Sequence, residues 1–204
     1  MSHCPPRPRT RNLFQRRFRK LDDYTLYARS HLWLRQERDG LVRLGLDPLA
    51  AWVVGRLRCV VLLPSGMRMR RGDPCAWLDQ VGGTLTIRSP LSGQVVEPNE
   101  AMVQRGEFEM HDPMGCEWLL LVRPWKLDAD TRESFRAADF QAIFDEHVRA
   151  WKHTLHRARS PEASNLGPTL QDGGHAVATL DDLLGPSRHH RVAARLLRGR
   201  GPHG

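Results

Sequence analysis

The stretch that decides the fold reads Cys75-Ala-Trp-Leu-Asp-Gln-Val81, Gly82-Gly83 and Thr84-Leu-Thr-Ile-Arg-Ser-Pro90. Two runs typical of β strands flank a pair of glycines. A two-residue type I′ turn needs positive φ at both central positions, and glycine adopts this conformation without a steric penalty. The stretch therefore predicts a β hairpin with a tip at Val81, Gly82, Gly83 and Thr84.

The β pattern continues on both sides of this hairpin. Between residues 24 and 124, short strand-like segments are separated by Gly and Pro. The predicted strands are Val42–Leu46, Cys59–Leu63, Cys75–Leu78, Thr84–Ile87, Gln94–Glu97 and Glu117–Val122. One exception follows Leu46, where Asp47 can cap a short helix that has Pro48 at its first position.

After Pro124 the spacing of apolar residues becomes that of a helix, with Asp130 or Thr131 as its cap. The apolar positions are Phe135, Ala138, Phe140, Phe144, Val148, Trp151 and Leu155. We expect a long amphipathic helix packed on the β domain. Beyond Ser160 large apolar residues are too sparse to offset the entropy of ordering, so a flexible tail is expected. Two apolar islands within it, 177–184 and 192–197, can fold against a partner.

The net charge of +8 is concentrated at the two ends of the chain. Residues 1–20 carry +7 and residues 183–204 carry +5, which leaves −4 for the body. Both ends mix arginine with apolar residues, as protein-binding segments do. The candidate partner-binding residues are Phe14, Arg16, Arg17, Phe18, Arg195, Leu196 and Leu197.

Few residues are suited to catalysis or to a cofactor. The four cysteines form no CxxC pair, and the sequence has no phosphate-binding loop, GxSxG elbow or paired carboxylates. The chain is therefore not expected to be an enzyme. No apolar run reaches the roughly 18 residues of a membrane span, and the first twenty residues are too charged for a signal peptide. A cytoplasmic location is expected.

The histidines are predicted to have structural roles. His147, His153 and His156 fall on the predicted helix, and we interpret them as solvated residues rather than metal ligands. His189 and His190 fall in the predicted flexible tail. No metal site is expected.

Several segments, in their order and spacing, resemble the glycine cleavage system H protein family. After the hairpin come Ser89-Pro-Leu-Ser-Gly93, Val95-Val96-Glu97 and Asn99-Glu100-Ala101, and further on Asp112-Pro113-Met114-Gly115-Cys116-Glu117-Trp118-Leu119. Before it come Tyr24-Thr25, Ser30-His31-Leu32-Trp33, Val42-Arg43-Leu44-Gly45-Leu46 and the run from Leu63-Pro64 to Gly72. The resemblance covers about residues 24–155. Leu32 departs from it, because the family usually has Glu between the His and the Trp.

This resemblance implies a fold and a division of the chain. The expected fold is mainly β, a flattened barrel or sandwich of the lipoyl-carrier type, with small edge helices and a long C-terminal helix. A basic arm at 1–21 precedes an H-protein-like domain at 22–158, and a flexible basic tail follows at 159–204. His31 is interpreted as a residue at the edge of the core, and Trp33, Trp52, Trp77 and Trp118 as core and rim.

The resemblance also indicates which residue is missing. In the family the hairpin tip reads Glu-Ser-Val-Lys-Ala, and lipoic acid is attached to the lysine. Counting back from Pro90 without a gap places Asp79 on the Glu and Gly82 on the lysine. Glycine has no amine, and the chain has only Lys20, Lys126 and Lys152. No lipoyl cofactor is therefore expected.

Three functional hypotheses follow. In the first, the chain is a non-catalytic, lipoyl-less H-like protein, a degenerate carrier that serves as a docking subunit in a redox or glycine-cleavage-like enzyme complex. In the second, it is a lipoyl carrier modified at another lysine. In the third, its basic arms make it a nucleic-acid or membrane adaptor.

Overall fold

Antiparallel sheets form the main body of the protein. The computed structural model describes residue 21, residues 23–159 and residues 180–199 of the 204-residue chain. Within these ranges the strands are β1 (Thr25–Tyr27), β2 (Leu32–Gln36), β3 (Val42–Leu46), β4 (Arg56–Leu57), β5 (Cys59–Leu62), β6 (Arg68–Met69), β7 (Pro74–Gln80), β8 (Gly83–Arg88), β9 (Gly93–Pro98), β10 (Phe108–Glu109), β11 (Leu120–Pro124) and β12 (Phe135–Arg136). The helices are α1 (Pro48–Val54), α2 (Glu100–Val103), α3 (Leu127–Asp130), α4 (Ala137–Arg159), α5 (Leu180–Leu184) and α6 (Pro186–Leu196).

The strands are arranged in three sheets over the described part of the chain. The largest has seven strands in the order β12-β1-β2-β3-β11-β9-β6, the second has the order β5-β7-β8, and β4 pairs with β10. All neighbouring strands are antiparallel. The seven-stranded sheet and the sheet that holds the hairpin contribute to one hydrophobic core. The predicted mainly β fold with small edge helices is confirmed as an open, sandwich-like form.

Helix α1 begins as the sequence predicts. The Asp47 carboxylate accepts a hydrogen bond from the backbone N–H of Ala50 at 2.8 Å, and Pro48 is the first helical residue. The side-chain cap satisfies a backbone donor that the helix itself leaves unpaired. All of α1 except Pro48 and Trp52 is buried, so the helix belongs to the core and is not a surface connection.

The long helix begins later than predicted. Asp130 and Thr131 lie at the end of the short helix α3, and α4 starts only at Ala137. The residues just before α4 form β12, which pairs with β1 at the sheet edge, with Phe135 opposite Tyr27 and Arg136 opposite Leu26. Pairing with this sheet edge outweighs the helical spacing of the segment. The apolar face of α4 then packs inward, and Phe140 stacks on Tyr27 with 5.2 Å between ring centroids.

The largest difference from the sequence-based expectation is at the C-terminus. Residues 180–199 form α5, α6 and a closing turn, so the prediction of a flexible tail is wrong for this segment. Residues 180–184 of the first apolar island and residues 192–197 of the second pack onto the chain's own core, and their burial offsets the entropy of ordering. The buried residues are Leu180, Leu184, His189, Ala193, Leu196 and Leu197. The rest of the predicted tail and the arm at residues 1–20 lie outside the described residues.

We expect Leu196→Ala to lower the free energy of unfolding, because Leu196 is only 2% exposed. Leu-to-Ala changes in a packed core cost about 2–5 kcal/mol, and a helix at the edge of the domain favours the lower end. The adjacent and exposed Arg195→Ala is the matched control, with an expected change within about 0.5 kcal/mol. Urea denaturation followed by tryptophan fluorescence measures both. Equal stability of the two variants would contradict the packing of α6.

Candidate functional site

The hairpin is present, but its turn differs from the predicted one by a single position. Gln80 pairs with Gly83, so Val81 and Gly82 are the two turn residues. Neither has a φ in the left-handed region, whereas Gly83, the first residue of β8, has φ +136°. The prediction of a type I′ turn centred on Gly82 and Gly83 is therefore wrong. The glycine-specific conformation is needed where β8 begins and not within the turn.

Helix α6 covers one side of this turn. A Cβ atom built on Gly82 would lie 2.2 Å from the carbonyl oxygen of Pro186 and 2.9 Å from the Cβ of His190. Both distances are shorter than real Cβ contacts, and the closest atom belongs to a backbone that cannot rotate away. A Cβ on Gly83 would meet the His190 ring at 3.2 Å. Val81 faces away and is 56% exposed. Any side chain at Gly82 therefore requires α6 to move.

Buried polar contacts connect the hairpin tip to α1 and α6. Gln80 is fully buried, and its amide Nε2 donates to the carbonyl oxygen of Val54 at the end of α1. The amide oxygen Oε1 of Gln80 lies 3.4 Å from His190 Nδ1. His189 is also buried, and its Nε2 donates to the carbonyl oxygen of Val53. These contacts satisfy carbonyl groups that the end of a helix leaves without partners.

His189 and His190 were thus misinterpreted from the sequence as tail residues. One signal in the sequence indicates their helix: Gly185 followed by Pro186, a combination that commonly precedes a first helical turn. Ala193, Leu196 and Leu197 then follow at helical spacing and are buried. The many Arg and His residues of this helix and the polar segment before it obscure this signal.

A second polar cluster is buried between β2, α1 and α4. His31 Nδ1 lies 2.6 Å from Asp47 Oδ2, and His31 Nε2 lies 2.7 Å from His147 Nδ1. A carboxylate only accepts, so His31 carries a proton on Nδ1, and its Nε2 shares one hydrogen with His147 Nδ1. His31 is fully buried rather than at the edge of the core, and His147 is 8% exposed rather than solvated. The sequence missed this pair because 116 residues separate its members.

The protonation of His147 is biased by its surroundings. Burial lowers its pKa below the ordinary 6.5, and the neighbouring His31 lowers it further. The carboxylates of Glu146 and Asp47 raise the pKa of His147, and the positive charge of Arg29 lowers it. The folded protein therefore favours the neutral imidazole. The neutral form agrees with the hydrogen bond to His31.

The sequence also singles out possible metal ligands, cysteines and tryptophans. Among the described residues, no group of three or more His, Cys, Asp or Glu side chains can hold a metal ion. Burial raises the pKa of the Cys75 thiol to about 12, which keeps it protonated and unreactive. The tryptophans have the expected roles, with Trp33 buried and Trp52, Trp77 and Trp118 half-buried. No helix within the described ranges has the length and apolarity to cross a membrane.

The partner-binding candidates have separate positions. Arg195 is exposed on α6, whereas Leu196 and Leu197 pack into the chain's own core and are not available to a partner in this structure. Phe14, Arg16, Arg17 and Phe18 lie outside the described residues. Arg195 is therefore the only one of these candidates that the described structure places on the surface.

Comparisons with known proteins agree on one family. The family model for glycine cleavage H-protein matches residues 25–147. A glycine cleavage system H protein of Methylococcus capsulatus is 37% identical over 98 residues, which are 48% of this chain and 76% of that protein. One of Shewanella loihica is 33% identical over 120 residues, 59% of this chain and 92% of that protein. The crystal structure of an H protein from Mycobacterium marinum superimposes with a TM-score of 0.52 at 25% identity, covering 61% of this chain and 99% of that one.

We expect stability to depend on pH through His147. Its pKa is lower in the folded than in the unfolded protein, so the unfolded state binds the proton more readily. Stability is then fully present above pH 6.5 and falls as the pH drops through 6.5 toward the folded-state pKa. Chemical denaturation on either side of pH 6.5 measures the difference. His147→Gln, whose amide can still hydrogen-bond to His31, should reduce this dependence, and the exposed His153→Gln should keep it. Equal pH dependence in both variants would contradict the assignment.

Proposed function

This chain belongs to the glycine cleavage H-protein family, and we propose that it is a member that carries no lipoyl group and acts as a docking subunit of an enzyme complex. H proteins are normally lipoyl carriers and are not themselves catalytic. The proposal retains the family's role as a component of an assembly and removes its role as a carrier. The partner is then an enzyme of a glycine-cleavage-like or redox complex, in the cytoplasm.

The first support is the absence of an acceptor amine at the hairpin tip. The ungapped count from Pro90 places Gly82 at the family's lysine position, and a lipoyl amide needs a primary amine. Lys126 follows β11 and Lys152 lies on α4, so neither is on the hairpin. Lys20 precedes the domain altogether. This distribution also disfavours the alternative of a carrier modified at another lysine.

The observation that carries the proposal is the cover over Gly82. A carrier arm must swing freely from its attachment point, yet the carbonyl oxygen of Pro186 occupies the place where a side chain would begin. The covering helix α6 lies beyond residue 147, where the match to the family model ends. The segment that blocks the tip is thus an addition to the family domain. The missing amine and the helix that covers Gly82 both support the loss of the carrier role.

The docking role is supported by the distribution of charge and by Arg195, which is exposed on α6. The chain ends in basic segments on a mildly acidic body, and arginine is enriched where proteins bury contact area. Long-range attraction to an acidic partner accelerates association and is weakened by salt. The same charges are compatible with nucleic acid or anionic membranes, so the experiments below separate these partners.

We expect the full chain to remain unmodified when it is co-expressed with a lipoate ligase, because no lysine is presented at the hairpin tip. Intact-protein mass spectrometry measures this, with the Shewanella loihica H protein in the same cells as the positive control. A lipoyl adduct on any lysine of this chain would contradict the proposal.

A matched pair of lysine variants tests the cover itself. Gly82→Lys forces a side chain against the Pro186 carbonyl and should lower the free energy of unfolding by about 1–3 kcal/mol, as overpacking does. Val81→Lys places the same amine on the exposed neighbour and should change stability by less than about 0.5 kcal/mol. Equal stability of the two variants would show that α6 does not hold the tip.

The docking role predicts that a protein partner in native lysate binds this chain and that salt weakens the binding. The full chain should recover it, and deletion of residues 1–20, which spares the buried Leu21, should weaken recovery. Arg195→Gln should also weaken it, with the exposed Arg149→Gln as the control for charge. Equal recovery by all forms would show that the basic segments are passive. Recovery of nucleic acid alone, lost after nuclease treatment, would favour the adaptor hypothesis instead.

A further inference from the structure

A cleft of about 950 Å³ opens beside the hairpin, on the side of β8. Its walls are β8, the turn at residues 28–30, the loop between β6 and β7, the loop that follows α3 and the C-terminal end of α6. Five arginines from these separate parts of the chain line it: Arg29, Arg71, Arg88, Arg132 and Arg198. The volume is in the range of small-molecule sites.

The positive charge of this arginine cleft is largely uncompensated. Its two carboxylates are already engaged: Glu133 pairs with Arg71, and Asp130 Oδ2 accepts the backbone N–H of Ser92 at 2.6 Å. Counting both acids against the five arginines leaves a formal excess of three positive charges. Within the described ranges, no carboxylate forms an ion pair with the other four arginines. Clefts lined by one sign of charge concentrate ligands of the opposite sign.

Several of the arginines are held in place before any ligand arrives. The guanidinium of Arg29 lies 5.0 Å from the centre of the Phe135 ring, and Arg88 Nη1 donates to the Gly72 carbonyl oxygen at 2.9 Å. A guanidinium has five N–H donors, so this single bond leaves most of those of Arg88 for another acceptor. Arginines fixed in this way lose less entropy when they bind an anion.

The C-terminal segment completes the cleft. Gly199 has φ +71°, and a Cβ atom there would lie 3.2 Å from the Cβ of Arg29 and 3.3 Å from its carbonyl oxygen. The turn after α6 thus packs directly against the turn at residues 28–30 and brings Arg198 to the opening. This contact depends on residues beyond the range that the family model matches. One wall of the arginine cleft is therefore built by residues outside the matched range.

We propose that the arginine cleft binds a small organic anion that carries two or more phosphate groups. The planar guanidinium donates two parallel hydrogen bonds to phosphate oxygens, and the hydroxyls of Thr86 and Ser134 add donors on the walls. One phosphate is satisfied by two or three arginines, and five spread over separate walls match a ligand with several anionic groups. The proposal is independent of the lipoyl question, since it involves neither Gly82 nor an amine.

Isothermal titration of the full chain with pyrophosphate tests the proposal at low and at physiological salt. We expect saturable binding at one site, tighter than that of inorganic phosphate and weakened by salt. The cleft variant Arg132→Gln/Arg198→Gln removes two exposed arginines and should weaken pyrophosphate binding at least about tenfold. The control Arg38→Gln/Arg149→Gln removes the same charge from exposed positions outside the cleft and should bind as the unaltered chain does.

The opposite results would overturn the proposal. Absence of saturable binding would exclude the site, and equal weakening in both double variants would reduce the effect to overall charge. Unchanged binding by the cleft variant would assign the anion to the basic segment at residues 1–20. Binding of an oligoglutamate peptide without binding of pyrophosphate would make the cleft a peptide groove. A melting temperature of the cleft variant equal to that of the unaltered chain confirms that its fold is intact.

Discussion

The structure depends on one carboxylate that makes two different contacts. Asp47 caps α1 with one oxygen and holds His31 with the other, and His31 in turn holds His147 on α4. Burying a carboxylate costs free energy unless both of its oxygens have hydrogen-bond partners, so the loss of either contact would leave a buried oxygen unpaired. The far end of α1 then receives Gln80 from the hairpin and His189 from α6. Through this helix, the position of the hairpin tip is linked to the polar centre of the core.

Features encoded by local sequence were predicted well. The strands around the hairpin, the Asp47 cap with Pro48 and the inward face of α4 all follow from short patterns whose physical cause is local. The errors arose where distant segments meet. Phe135 and Arg136 are strand rather than helix because β1 has a free edge beside them, and His147 is buried because His31 lies opposite. Neither contact leaves a trace in the residues nearby.

In the hairpin, one prediction from the sequence is confirmed and another is wrong. The glycine pair correctly predicts a tight turn, but the turn is displaced by one residue and its conformation is different. The sequence pattern predicts a positive φ angle at Gly82, whereas the structure gives another reason for a glycine there, the closeness of the Pro186 backbone. A segment more than 100 positions away sets this requirement. The arginine cleft is similar, since its arginines come from separate stretches that only the folded chain brings together.

The contact between Gly82 and Pro186 has an evolutionary consequence. A descendant of this chain that gained a lysine at position 82 would first have to lose the packing of α6, because the lysine side chain and the Pro186 backbone cannot occupy the same space. Loss of α6 alone exposes apolar surface and brings no amine, while the lysine alone strains the turn. Neither change alone gives an unobstructed amine at residue 82. Under the proposed function, this contact would keep a lineage from regaining a carrier arm at that position for as long as α6 packs on the hairpin.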